Sequence, residues 1–142
     1  MTSNTLQIKK GNRFDDERGV ITYNNDFDAS EIKRIYTIEN CSTDFIRGWQ
    51  GHKIERRWFA CINGEFEISV IKVDNFDKPA DDLQSSRFRL NDEELNYLLV
   101  PAGCITAIKA NKKNSKLLVL ADFALGVNQD EYRFPLDYFK EK

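Results

Sequence analysis

One histidine, one methionine and three scattered cysteines leave this 142-residue chain poor in the side chains that metal centres use. A zinc site draws on grouped Cys and His ligands. His52 has no second imidazole and no cysteine pair to join it, so no metal is expected. Cys41, Cys61 and Cys104 are odd in number and sit beside apolar or small residues, the pattern of reduced thiols rather than of a disulfide framework. Positive charge is not in excess either. The 21 basic side chains are outnumbered by 23 acidic ones along the whole length, and the net charge of −2 offers no stripe to neutralise a phosphate backbone, which argues against a nucleic-acid partner. No apolar run approaches the roughly 20 residues of a membrane-spanning helix. Met1–Asn12 also lacks the apolar centre of a signal peptide, so the expected setting is the cytoplasm, away from membranes. No linker, repeat or low-complexity tract divides the chain, and residues 1–142 read as a single domain.

Aromatic bulk is present in quantity: 10 Phe, 5 Tyr and 2 Trp are enough to fill one core. The clearest local pattern is Glu65–Val73, where Phe66, Ile68 and Val70 alternate with Glu65, Glu67 and Ser69 at the period of a strand with one buried face. Arg57–Ile62 precedes it, rich in aromatic and β-branched residues. Asn63-Gly64 between the two suits a tight hairpin, because both positions tolerate positive φ, so the two strands are expected to pair antiparallel. Further strands are expected at Arg34–Glu39, Phe45–Gln50, Arg87–Leu90, Leu95–Val100, Ile105–Ala110 and Lys116–Phe123. A short C-terminal helical turn at Pro135–Lys142 would bring Leu136, Tyr138 and Phe139 over one end of a sheet. Many short strands without crossover helices imply an all-β antiparallel sandwich or barrel, and a small barrel holds one ligand in its mouth.

Arg47-Gly48-Trp49-Gln50-Gly51-His52-Lys53 resembles the segment Arg-Gly-x-His-Ala-His-Lys of the dTDP-sugar 3,4-ketoisomerases, cupins related to dTDP-4-dehydrorhamnose 3,5-epimerase. Arg56–Gly64 is similar to the strand and turn that follow that segment, and Lys33–Ile38 to the first long core strand. Asp16-Glu17-Arg18-Gly19, Pro101-Ala102-Gly103 and Asp130-Glu131-Tyr132-Arg133 resemble three further family segments, so the likeness covers nearly the whole chain. It implies a cupin jelly roll, an antiparallel double-stranded β-helix. It also implies a nucleotide-sugar ligand such as a dTDP-4-keto-6-deoxyhexose, isomerised or epimerised by proton transfer beside the ketone in deoxysugar or surface-polysaccharide biosynthesis. No cofactor is implied. A homodimer is, and Thr5–Phe14 is a segment suited to adding a strand to a partner's sheet.

The family's base is the first histidine of its segment, and Gln50 stands there in this chain; a neutral amide does not take up a proton at ordinary pH. The histidine that often follows the Pro-x-Gly turn is missing as well, the sequence reading Cys104-Ile105-Thr106-Ala107. His52 aligns with the second histidine and shares a strand face with Gln50 at a two-residue period. It is either the acid-base group or a hydrogen-bonding member of a polar barrel mouth. Arg47 binds an anion bidentately or forms a surface pair. Arg56 and Arg57 point in opposite directions on a strand, and Arg56 is taken as the ligand-facing one. Tyr36 and Tyr97 are donors to a keto-sugar oxygen or core tyrosines, Trp49 stacks on the ligand or packs, and Lys53 meets a diphosphate or solvent. Glu55 is the one carboxylate near the segment that can replace the missing base. With catalysis lost, the same pocket would make a sugar-nucleotide-binding module.

Overall fold

Along residues 65–72 burial alternates side chain by side chain. Phe66, Ile68 and Val70 are almost wholly enclosed, while Glu65, Glu67 and Ser69 keep partial solvent contact. That period belongs to a strand with one face in a core. In the computed structural model, which describes residues 5–140, it is one of twelve strands labelled here in chain order.

One five-stranded sheet has the order β1 (Gln7–Lys9), β9 (Tyr97–Val100), β6 (Arg57–Asn63), β11 (Lys116–Ala121) and β4 (Arg34–Ile38). The other has the order β12 (Glu131–Arg133), β5 (Ile46–His52), β10 (Cys104–Ala110), β7 (Glu65–Lys72) and β8 (Ser86–Asn91). A separate ribbon pairs β2 (Asn12–Asp16) with β3 (Gly19–Tyr23). Every ladder is antiparallel. From β4 to β11 the chain changes sheet at each step except β7 to β8, which is the connectivity of a jelly roll.

The inner core is shared between the two sheets. Phe59, Leu98, Leu117 and Val119 come from the first, and Phe66, Ile68, Leu90 and Ile108 from the second. Each such side chain stabilises by about 1.5–3 kcal/mol on burial. The outer faces are covered too. Trp49, Ile71 and Ile105 lie beneath Phe139, and Trp58, Tyr97 and Leu120 beneath Phe27 and Ile32.

The expected β6–β7 hairpin does not form. β6 already lies between β9 and β11, and β7 between β10 and β8, so neither strand has an edge left for the other. Asn63-Gly64 instead carries the chain around a corner from one sheet to the other. Gly64 supplies the positive φ of 81°, its backbone amide donates to Asp92 Oδ2 at 2.9 Å, and the Asn63 side-chain Nδ2 donates to the Asn114 carbonyl at 2.7 Å. A Cβ on Gly64 would run into the Ser115 hydroxyl. The turn chemistry is that of a tight reversal, and the neighbouring ladders decide that it joins sheets rather than strands of one sheet.

At the C-terminus one hydrogen bond, from the Tyr138 amide to the Pro135 carbonyl, closes a single turn and no helix follows among the described residues. The Lys140 amide bonds to the Asp81 carbonyl instead of continuing the turn, and the Tyr138 hydroxyl reaches Pro79. These bonds press Phe139 edge-on against Trp49, with ring centroids 5.6 Å apart, while Leu136 remains half exposed above Gly48. The N-terminal segment is used within the chain. Gln7–Lys9 pairs with β9, and Asn12–Asp16 with β3 through the Asp16–Gly19 turn, where Asp16 accepts the Arg18 amide and guanidinium.

Candidate active site

β5 carries the site because its register breaks. Opposite it on β10, Thr106 pairs with Gln50 and Ile108 with Arg47, so three residues of β5 span two of β10. This bulge turns Arg47 onto the same face as Gln50 and His52, which strict alternation would not do. Trp49 faces the other way, into the cluster beneath Phe139. Arg47, Gln50 and His52 therefore look into one cavity of about 400 Å³, whose apolar wall includes Phe59, Val100 and Ile108 and whose rim includes Tyr36, Arg133 and Glu131. A second cavity of about 250 Å³, under residues 124–130, joins it along Arg34, His52, Glu55, Arg57 and Glu131.

The imidazole of His52 sits at that junction. Its Nδ1 lies 3.1 Å from the Asp130 carbonyl oxygen, which only accepts, so the neutral ring carries its hydrogen on Nδ1 and leaves Nε2 as an acceptor. Burial pushes the His52 pKa down to about 4, and the Arg57 guanidinium pushes the same way, against the opposing pull of Asp130 and Glu131. His52 is thus a neutral base across the physiological range.

Asp130 builds the loop behind it. The buried carboxylate accepts the backbone amides of Lys53 at 2.9 Å, Ile54 at 2.7 Å and Glu55 at 2.9 Å, holding the turn between β5 and β6 by three charge-assisted bonds. Glu55 is buried by the same turn. Burial raises its carboxyl pKa, and the neighbouring Arg57 works against that rise.

Arg57, and not Arg56, faces the cavity. Its guanidinium donates to the Tyr36 hydroxyl at 2.9 Å and to Glu55 Oε1 at 3.2 Å. Having accepted from Arg57, the Tyr36 hydroxyl keeps its own hydrogen to donate. The Nε atoms of Arg57 and Arg47 are both buried with no hydrogen-bond partner among the described residues. Arg56 points outward, bonded to Asp122 Oδ2 at 2.9 Å and Glu31 Oε2 at 2.6 Å and lying over Trp58.

Of the side chains singled out in the sequence, the cavity brings together Tyr36, Arg47, Gln50, His52 and Glu55. Tyr97 is elsewhere. Its ring stacks on Phe27, centroids 4.2 Å apart, on the outer face of the first sheet, where burial pushes its hydroxyl pKa up. Trp49 packs on the opposite face of β5, Arg56 is held by its ion pairs, and Lys53 is exposed beyond the strand, contributing only its backbone amide to Asp130. Arg34, Arg57, Asp130 and Glu131 also line the two cavities and were not among the side chains the sequence singled out for the ligand. The Asp130–Arg133 segment was the available signal for two of them. One donor atom each from His52, Glu55 and Asp130 lies within 4.8 Å of the others, yet three backbone amides engage Asp130 and a guanidinium neutralises Glu55, which leaves little charge to hold a cation.

Among solved structures, the chain is similar to a double mutant of the QdtA 3,4-ketoisomerase from Thermoanaerobacterium thermosaccharolyticum in complex with TDP, at 25% identity over 98% of this chain and 94% of that one, with a TM-score of 0.70. It is similar to a 3,4-ketoisomerase from Helicobacter canadensis at 25% identity over 88% of each chain, TM-score 0.67. In fold alone it is also like dTDP-4-dehydrorhamnose 3,5-epimerase from Bacillus anthracis, with TDP and PPi bound, at 13% identity over 87% of this chain and 75% of that one, TM-score 0.69. No curated protein sequence matches. A family model described as FdtA: WxcM-like, C-terminal, matches residues 4–142, and the chain belongs to that family.

Proposed function

We propose that this chain is a nucleotide-sugar isomerase or epimerase that binds a dTDP-4-keto-6-deoxyhexose in the β5 cavity and moves a proton beside its ketone. The observation that carries the reading is His52: a neutral ring oriented by the Asp130 carbonyl, with Nε2 left as an acceptor in a cavity of sugar size. A ketone at sugar C4 acidifies the hydrogen on C3, and removing it leaves an enediolate that needs donors at its oxygens. Tyr36 and the unpartnered Nε atoms of Arg47 and Arg57 supply donors on the same wall. This proton chemistry needs no metal or organic cofactor, and the setting we assign to it is deoxysugar or surface-polysaccharide biosynthesis.

Calorimetric titration with dTDP, followed by incubation with dTDP-4-keto-6-deoxyglucose, tests the proposal. Saturable binding and a new keto-sugar are expected. No binding overturns the reading. Binding without product assigns the chain to the second reading, a sugar-nucleotide-binding module, which the amide at Gln50 favours.

We also place the protein in the cytoplasm as a homodimer. Phe14 and Ile21, directly opposed on the β2–β3 ribbon, are 50% and 57% exposed, an apolar pair suited to a second copy. Gel filtration at micromolar concentration should give the mass of two chains, and elution as one chain contradicts the dimer.

A further inference from the structure

Gln50 cannot act as a base, but it is bonded to a group that can. Its amide Nε2 donates to Glu131 Oε1 at 2.8 Å, while Arg133 Nε donates to Glu131 Oε2 at 2.9 Å and a second guanidinium nitrogen lies 2.9 Å from the same oxygen. The arrangement follows from strand pairing. β12 lies against β5 with Glu131 opposite His52 and Arg133 opposite Gln50, so Glu131 projects onto the cavity face and lines both cavities at their junction. Only the NH₂ end of an amide can donate to a carboxylate, which fixes the orientation of Gln50. Three of the roughly four lone-pair positions of the carboxylate are thereby engaged, and one remains.

Resting on the nucleotide-sugar reading, we propose that Glu131 is a catalytic residue, the carboxylate that takes the proton from the carbon beside the ketone, with Gln50 and Arg133 as its positioning residues. Isomerisation moves two hydrogens, one from C3 to C4 and one from the C3 hydroxyl to the former ketone oxygen. The C3–H bond breaks to Glu131, and its electron pair forms the C3–C4 double bond as the ketone's electrons move onto oxygen, where the Tyr36 hydroxyl donates. His52 Nε2 accepts the C3 hydroxyl proton and delivers it to the oxygen on C4. Glu131 returns its proton to C4 while the C3 oxygen becomes the ketone. Atoms and electrons balance without any co-reactant. Glu39 and Glu55 also line the cavity, ion-paired to Lys116 and Arg57 as Glu131 is to Arg133, and what singles out Glu131 is its bond to Gln50.

The test measures exchange and turnover of dTDP-4-keto-6-deoxyglucose in deuterated water. Glu131→Gln should lower kcat by about 100- to 10,000-fold, with dTDP affinity unchanged. Adding Gln50→His to that variant puts an imidazole where the amide was, and should restore at least about 10-fold of the lost rate. A purely structural Glu131 would not show the kcat-selective loss at unchanged dTDP affinity. Undiminished exchange in Glu131→Gln, a loss seen in Glu55→Gln in its place, or failure of the Gln50→His rescue overturns the assignment while leaving the nucleotide-sugar reading standing. A wild-type protein that neither exchanges nor converts the sugar overturns the reading itself.

Discussion

The His52→Ala protein is expected to fold, to bind dTDP with wild-type affinity and to turn over dTDP-4-keto-6-deoxyglucose about 100- to 10,000-fold more slowly, the usual contribution of one positioned acid-base group. The ring lies at the junction of the two cavities, and its removal leaves the three Asp130 bonds to residues 53–55 intact. A loss of dTDP affinity with kcat preserved would make His52 a binding group only.

The same ring has a distinctive pH signature. Its pKa is lowered by burial, and next by Arg57, from 6.5 to about 4, so kcat/KM should show no inflection near pH 6.5 and should fall only as pH approaches 4. The effect on stability has the corresponding sign. Below 6.5 the unfolded chain takes up a proton that the folded ring refuses, so stability is full above that pH and declines as pH falls, levelling off below about 4. Between pH 6.5 and 5 one such group costs at most about 2 kcal/mol, less for the solvent contact the ring keeps. Urea titrations of wild type and His52→Asn at both pH values measure the difference. A decline of equal size in the variant assigns the effect to other groups.

Asp130→Ala should lower unfolding stability by about 3 kcal/mol, because it strands three amides, one buried and two part-buried, that a single carboxylate now satisfies. Asp130→Asn keeps an acceptor oxygen and should cost about half as much. Denaturant midpoints decide it; a loss under about 1 kcal/mol for the alanine would mean that water reaches the loop. The chemical effect should exceed the thermodynamic one. Residues 53–55 set the positions of His52 and Glu55, so kcat should fall in Asp130→Asn even under conditions where the protein is fully folded.

Strand periodicity was enough to find the barrel. Phe66, Ile68 and Val70 alternate as a half-buried strand must, and all eight expected strands overlap observed ones. β2, β3 and β12 escaped; Asn12–Asp16 and Glu131–Arg133 carry too few apolar side chains to show a period, and Gly19–Tyr23 is short and follows a turn. The Arg56/Arg57 choice was not legible because β6 is apolar on both faces. Phe59 and Cys61 point inward, Trp58 and Ala60 outward, and no polar side marks the direction. The bulge that turns Arg47 inward depends on the register against β10, and the bonds that fix the site join residues 75 to 81 positions apart. Such partners cannot be read from spacing within one strand. Tyr97 misled for the opposite reason: its hydroxyl invited a site role, while its neighbours Leu98, Leu99 and Val100 already marked it as part of a strand buried on both faces.

The central claim is that this cavity moves a proton beside a sugar ketone. Proton NMR of dTDP-4-keto-6-deoxyglucose incubated with the wild-type protein in deuterated water tests it most directly. The C3 hydrogen signal should be lost to deuterium, and the resonances of an isomerised or epimerised keto-sugar should appear. A spectrum that stays identical to the enzyme-free control, with dTDP shown to be bound, would contradict it.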